Sequence, residues 1–220
     1  MFKKSLFLLC LLTTNLFCSI AMAIEEPRFE VLVSDGPFEI RRYAPMLVAE
    51  IFVDGDMDEA SSKGFRLIAD YIFGNNQLPG SDQKSTIAMT APVTVEPQSS
   101  KIAMTAPVTI ERQSAGAPLE SAQRWRIHFV MPSKYTLENI PKPRNDAVQL
   151  RDIPAKYFAV HKYSWLNTQS RVQQKTQETL QWVQQRSLQA LGAPQLARYD
   201  PPWTLPMFKR NEIMVEISQP

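Results

Sequence analysis

From Phe29 onward, hydrophobic and polar residues alternate with a period of two over most of the chain, and turn residues bound each run. The runs FEVLV from Phe29, FEIRRY from Phe38 and MLVAEIFV from Met46 predict three short strands. The turns Ser34-Asp35-Gly36-Pro37 and Ala44-Pro45 separate them, which suggests an antiparallel meander. The period then changes: Phe65, Ile68, Tyr71 and Ile72 recur at helical spacing between a cap at Asp58 and a stop at Gly74. Further on, Trp125, Ile127, Phe129 and Met131 alternate against Arg126, His128 and Val130, placing His128 on the side away from the apolar face. Strands VQLRDI from Val148 and KYFAVHKYSW from Lys156 follow, split by Pro154. A second helix is capped at Asn167 or Thr168, striped by Val172, Leu180, Val183 and Leu191, and ended at Gly192. The strand NEIMVEI from Asn211 comes last. Strands, a helix and strands occur twice in succession, which predicts an α+β domain of two related halves around one sheet or barrel.

One segment breaks the economy of this pattern. The octapeptide IAMTAPVT begins at Ile87 and again at Ile102. Period two puts Ile87, Met89, Ala91, Val93 and Val95 on one face and Thr90, Pro92, Thr94 and Glu96 on the other. The second copy repeats the split. A hairpin with Val95 opposite Ile102 keeps both apolar faces on one side; a slipped pairing puts either copy in the core position.

The first 23 residues read as an export signal: Lys3 and Lys4, an apolar stretch from Leu6 to Leu12, and the cleavage pattern Ala21-Met22-Ala23. Thr13, Thr14 and Asn15 interrupt the stretch before it reaches the ~20 apolar residues of a spanning helix, so no stable membrane anchor is expected after cleavage. Residues 24–220 then form a single domain, periplasmic or secreted, and monomeric. The only cysteines, Cys10 and Cys18, leave with the leader, which excludes disulfides, a thiol nucleophile and covalent c-type heme attachment. Losing Lys3 and Lys4 takes the formal charge from +2 to 0. A neutral chain without a basic run lacks the electrostatic footprint of a nucleic-acid partner. There is no Gly-rich phosphate loop, and Asp54, Asp56 and Asp58 fit turn and capping roles, so the chain is not expected to be an enzyme.

The segments FEIRRYAP, Gly64-Phe65, YIFGNN, KIAMTAPV, RIHFVMPSKYTLENIPKP and YDPPWTLPMFKRNEI, in this order, resemble the SOUL or heme-binding protein family over nearly all of residues 24–220. The resemblance implies a distorted antiparallel β-barrel of two pseudo-symmetric halves, each with a long helix packed outside. It is an architecture related to effector-binding domains of bacterial regulators. It also implies reversible, non-covalent binding of heme or a related tetrapyrrole in an apolar cleft. The alternatives are a module for another amphipathic or flat hydrophobic ligand, or an enzyme acting on tetrapyrroles. By resemblance, the disc lies against the first helix and near the loop before the last strand, which here supply Phe65, Ile68, Ala69, Tyr199, Trp203 and Met207. The positions matching basic residues proposed for eukaryotic members are Ser62, Asp70 and Thr204, none of them cationic, which leaves Lys63, Arg66, Lys209 and Arg210 as candidates for the propionates. For an axial ligand the chain offers only His128 and His161. His161 shares its strand face with Tyr157, Ala159, Tyr163 and Trp165 and is the metal-ligand candidate; binding without an axial ligand is the other option.

Overall fold

A computed structural model describes residues 24–98, 124–201 and 203–220; the predicted leader and the second repeat copy lie outside the described residues. The elements run β1 (Phe29–Asp35), β2 (Phe38–Tyr43), β3 (Met46–Asp54), α1 (Met57–Ile72), β4 (Asn76–Gln77), β5 (Val93–Pro97), β6 (Arg124–Val130), β7 (Lys142–Pro143), β8 (Gln149–Ile153), β9 (Lys156–Tyr163), α2 (Gln169–Gln185), β10 (Gln195–Arg198) and β11 (Asn211–Ile217). β4 and β7 form a small ribbon, and the other nine strands make one antiparallel sheet in the order β1-β2-β9-β11-β10-β5-β6-β3-β8.

Connectivity forces this sheet to curl. β2 and β3 lie six strand spacings apart in the order, about 29 Å in a flat sheet at ~4.8 Å per strand. Yet only Ala44-Pro45 joins them, and three steps of ~3.8 Å reach about 11 Å. Pro154-Ala155 imposes the same constraint on β8 and β9. The expected barrel is therefore a half-barrel, open between the edge strands β1 and β8, within an α+β fold. The expected meander holds for β1 and β2 only: β9 takes the other edge of β2, and β3 pairs with β6 and β8.

The outer face carries both helices. The register aligns Ile51, Ile127, Val95, Leu196, Ile213 and His161 across six strands, a row that runs beneath them. α1 packs on β3 and β6, α2 on β9 and β11. Asp56, not Asp58, caps α1: its carboxylate accepts from Asp58 N at 3.0 Å and Glu59 N at 2.8 Å. Gly64 lets α1 approach β6 closely, since a Cβ there would stand 3.2 Å from Ile127 Cβ and Cγ2. α2 is capped by Thr168 and ends at Gln185, before the expected stop at Gly192; Ser187 turns the chain at φ 57°, and Leu191 is exposed.

The first repeat copy is only partly a strand. β5 begins at Val93; Ile87 and Ala91 are buried as expected, but Met89 is exposed because residues 85–89 lack strand structure and the period-two rule lapses there. Val95 pairs with Ile127 on one side and Leu196 on the other, so neither edge of β5 is left for the expected partner Ile102. Thr94, expected outward, is 3% exposed because its face lines the hollow of the curled sheet.

Candidate functional site

The hollow face is unusually polar for a buried surface. Register aligns Glu50, His128, Thr94, Ala197, Glu212 and Lys162 across it, and among the described residues the buried Glu39, Arg41, Glu50 and Glu212 lie on it. A cleft opens between the two flanks of the curl, where Tyr43, Met46, His128, Ile153, Phe158 and Met214 converge from six strands or strand ends. Its enclosed part measures about 50 Å³, and it shares Pro27, Met46 and Val130 with a neighbouring cavity of about 330 Å³ toward Glu25, Thr90 and Tyr135. The larger volume is in the range of small-molecule sites.

His128 is the chemically distinctive group in this cleft. Its side chain is buried and its Nδ1 has no hydrogen-bond partner. Burial first, then the charges of Arg126, Arg151 and Lys156, push its pKa down to about 3, so the imidazole is neutral at pH 7. Whichever nitrogen carries the proton, Nδ1 keeps a donor or lone pair for a ligand. The expectation of a surface histidine fails because the curl closes water away from a face that would be wet on a flat sheet. Around it the charges are matched: Arg126 pairs with Glu96 and stands 3.8 Å from Glu50, Arg151 donates to Glu50 at 2.9 Å, and Lys156 to Glu216 at 2.6 Å.

Farther along the hollow, Arg41 organises a second cluster. Its guanidinium donates to Glu212 through Nη1 at 2.9 Å and Nη2 at 3.0 Å, to Glu39 through Nε at 2.6 Å, and to the Tyr43 hydroxyl at 3.0 Å. Lys162 also donates to Glu39. Tyr199, predicted as a ligand contact, lies here: its hydroxyl donates to Glu212 at 2.7 Å, while Arg210 covers its ring at 3.6 Å. Burial pushes the Tyr43 hydroxyl up to about 12 and that of Tyr199 further in the same direction, so both stay protonated.

The other predicted residues are dispersed. Ile68 is fully buried in the core under α1, and Ala69 is half-buried. Phe65 is 38% exposed with its ring centroid 5.8 Å from Phe129, and Lys63 and Arg66 are exposed on the same helix. Trp203 and Met207 project from the loop before β11; Lys209 donates to the Pro201 carbonyl at 3.1 Å, and Arg210 pairs with Glu26 at 2.5 Å. His161 lies on the helix side, beneath α2, with Nδ1 3.3 Å from Thr179 Oγ1, Nε2 3.8 Å from Glu178, and the tilted Phe38 ring centred 4.2 Å from its own. It is a core imidazole away from the cleft. Among the described residues no group of three His, Cys, Asp or Glu is placed to hold a metal ion. Period two hid the cleft residues, because it cannot distinguish a wet polar face from a buried one.

The curled sheet has relatives of known structure. The chain superposes on the C-terminal domain of EcmrR with TM-score 0.55 at 12% identity, covering 83% of this chain and 98% of that one. Two hydrolases from Listeria innocua match with TM-scores of 0.50 and 0.51 at 13% identity, covering 85% and 82% of this chain and 94% and 91% of theirs. At such identities the likeness shows a shared fold. No curated protein matches the chain. The model of the SOUL heme-binding protein family matches residues 24–216, which include both helices and the whole sheet but for Ile217 at the end of β11. The chain belongs to the SOUL heme-binding protein family.

Proposed function

We propose that this is an exported, periplasmic or secreted protein that binds heme or a related tetrapyrrole reversibly, with the hollow cleft as the site. The observation that carries the site is the buried Nδ1 of His128, unpartnered in a cleft whose apolar side chains Met46, Val130, Ile153, Phe158 and Met214 alternate with Tyr43, Thr94, Arg126, Arg151, Lys156 and Gln195. On this reading the neutral imidazole of His128 would hold the iron, Met46, Ile153, Phe158 and Met214 would flank the ring, and Arg151 and Lys156, each now paired with a carboxylate, would turn to the propionates. A bound heme would supply an iron centre with an open coordination position; the residues of the chain bind it, orient it and exclude water. The fold supports reading two related halves, since β3 pairs with β6 under α1 as β9 pairs with β11 under α2, and β5 meets β10 between them.

A second reading, a non-tetrapyrrole amphipathic ligand, is favoured by one observation. The cleft's volume of about 50 Å³ admits only a few waters at roughly 10–15 Å³ each, and the rim cations already have carboxylate partners. Titration with ferric heme and metal-free protoporphyrin, followed by the Soret band and tryptophan quenching, separates the two. We expect saturable one-to-one binding of both macrocycles, with a ferric advantage that His128→Ala abolishes and His161→Ala retains. An advantage that survives His128→Ala removes that residue from the site. No saturable binding of either macrocycle overturns the tetrapyrrole reading.

A further inference from the structure

The segment Glu25–Arg28, just ahead of β1, crosses from one flank of the curl to the other. Its first residue is held beside the start of β5 and the end of β6. Glu25 bridges to Thr90, its carbonyl accepts from Ala91 N at 3.0 Å, and its carboxylate accepts from Ser133 N at 2.8 Å. Its last residue is held at the opposite flank, where the Arg28 carbonyl accepts from Ala44 N at 3.0 Å, just past β2. In the sheet order β1 and β5 are five spacings apart, about 24 Å if the sheet were flat at ~4.8 Å per strand. Four steps of ~3.8 Å from Glu25 to Phe29 reach about 15 Å, so the segment bridges flanks that only the curl brings together.

Its position bears on access to His128. All four residues line the cavity of about 330 Å³, and Pro27 lines the cleft as well, so the segment stands where the two spaces adjoin. Its hold is slight. Apart from the single bridge of Glu25 to Thr90 it joins no sheet ladder, and Glu25, Glu26 and Arg28 are exposed. A further tether, the ion pair of Glu26 with Arg210 at 2.5 Å, is itself open to water. A segment held by a few exposed polar contacts opens locally far more readily than the sheet beneath it. We infer that Glu25–Arg28 is a strap that gates the cleft: closed, it keeps His128 from water, and its local opening admits a ligand while the sheet stays folded. The inference rests on the hollow cleft as the binding site, but the movement of the strap can be followed without any ligand.

The test is acylation of the full chain by diethyl pyrocarbonate, which attacks neutral imidazole, with mass spectrometry following its two histidines separately. His128 reports opening of the cleft, whereas His161, under α2, reports opening of the fold. We expect Glu25→Ala/Glu26→Ala to raise the rate at His128 about 10-fold and to leave the rate at His161 and the thermal midpoint unchanged. Glu25→Gln alone keeps an acceptor for Ser133 N and is expected to keep the original rate. An unchanged His128 rate in the double variant overturns the inference. So does a rise at both histidines in step, which would mean that the whole fold opens. Because the readout needs no ligand, a chain that fails the heme titration yet shows the selective rise at His128 loses the tetrapyrrole assignment and keeps the strap.

Discussion

Replacing Arg41 by Met probes how the hollow face tolerates buried charge. Arg41 is 3% exposed and its guanidinium satisfies Glu212, 1% exposed, in bidentate fashion, together with Glu39 and Tyr43. Met fills much of the side-chain volume but supplies no donor, so Glu212 keeps only Tyr199 and Glu39 keeps only Lys162. Breaking one partner of such a pair costs about 3–5 kcal/mol, because an uncompensated charge remains in the interior. Against a total stability of roughly 5–15 kcal/mol that is a large fraction, and at ~2–4 °C per kcal/mol it lowers the thermal midpoint by about 6–20 °C. The double variant Arg41→Met/Glu212→Gln leaves no carboxylate at position 212 and lets Tyr199 still donate to the amide oxygen, so it is expected to be more stable than the single variant. Urea unfolding at neutral pH, with the slope checked for constancy, measures both. A single-variant loss below about 1 kcal/mol, or a double variant less stable than the single, would refute the role assigned to this cluster.

Two further predictions follow from close packing and from burial. Gly64→Ala places a methyl against Ile127, so overpacking of about 1–3 kcal/mol outweighs the ~1 kcal/mol gained in helix propensity. Adding Ile127→Val, which removes Cδ1, recovers part of the loss, and additive effects in the double-mutant cycle would disprove the contact. His128, with its pKa pushed down to about 3 from an ordinary 6.5, is unprotonated in the fold where the unfolded chain is protonated. Its contribution is complete above pH 6.5 and is lost as the pH falls toward 3, by about 1.4 kcal/mol per unit. His128→Gln therefore flattens the pH dependence of urea unfolding between about pH 6 and pH 4, and an unchanged slope would show that the ring is solvated.

Local periodicity by itself determined where most strands and helices lie and which side chains share a face. The cores of β2, β3, β6, β9 and β11 fall where alternation predicts them, and α1 follows the helical stripe from Phe65 to Ile72. Family membership was equally legible, because motifs such as FEIRRYAP and KRNEI are contiguous in sequence. Tertiary structure alone decided that the second face is an interior. Glu39, Arg41, Glu50, His128 and Glu212 alternate with apolar residues as a solvated face would, and nothing local reveals that they are buried. Burial comes from two two-residue connections that draw strands six spacings apart into neighbourhood and curl the sheet around them. The same long-range pairing gave β5 two partners and left no edge for the repeat hairpin. It also set His161 under α2 and His128 in the cleft. A period of two records which residues point together; whether water reaches them depends on contacts between strands distant in the chain.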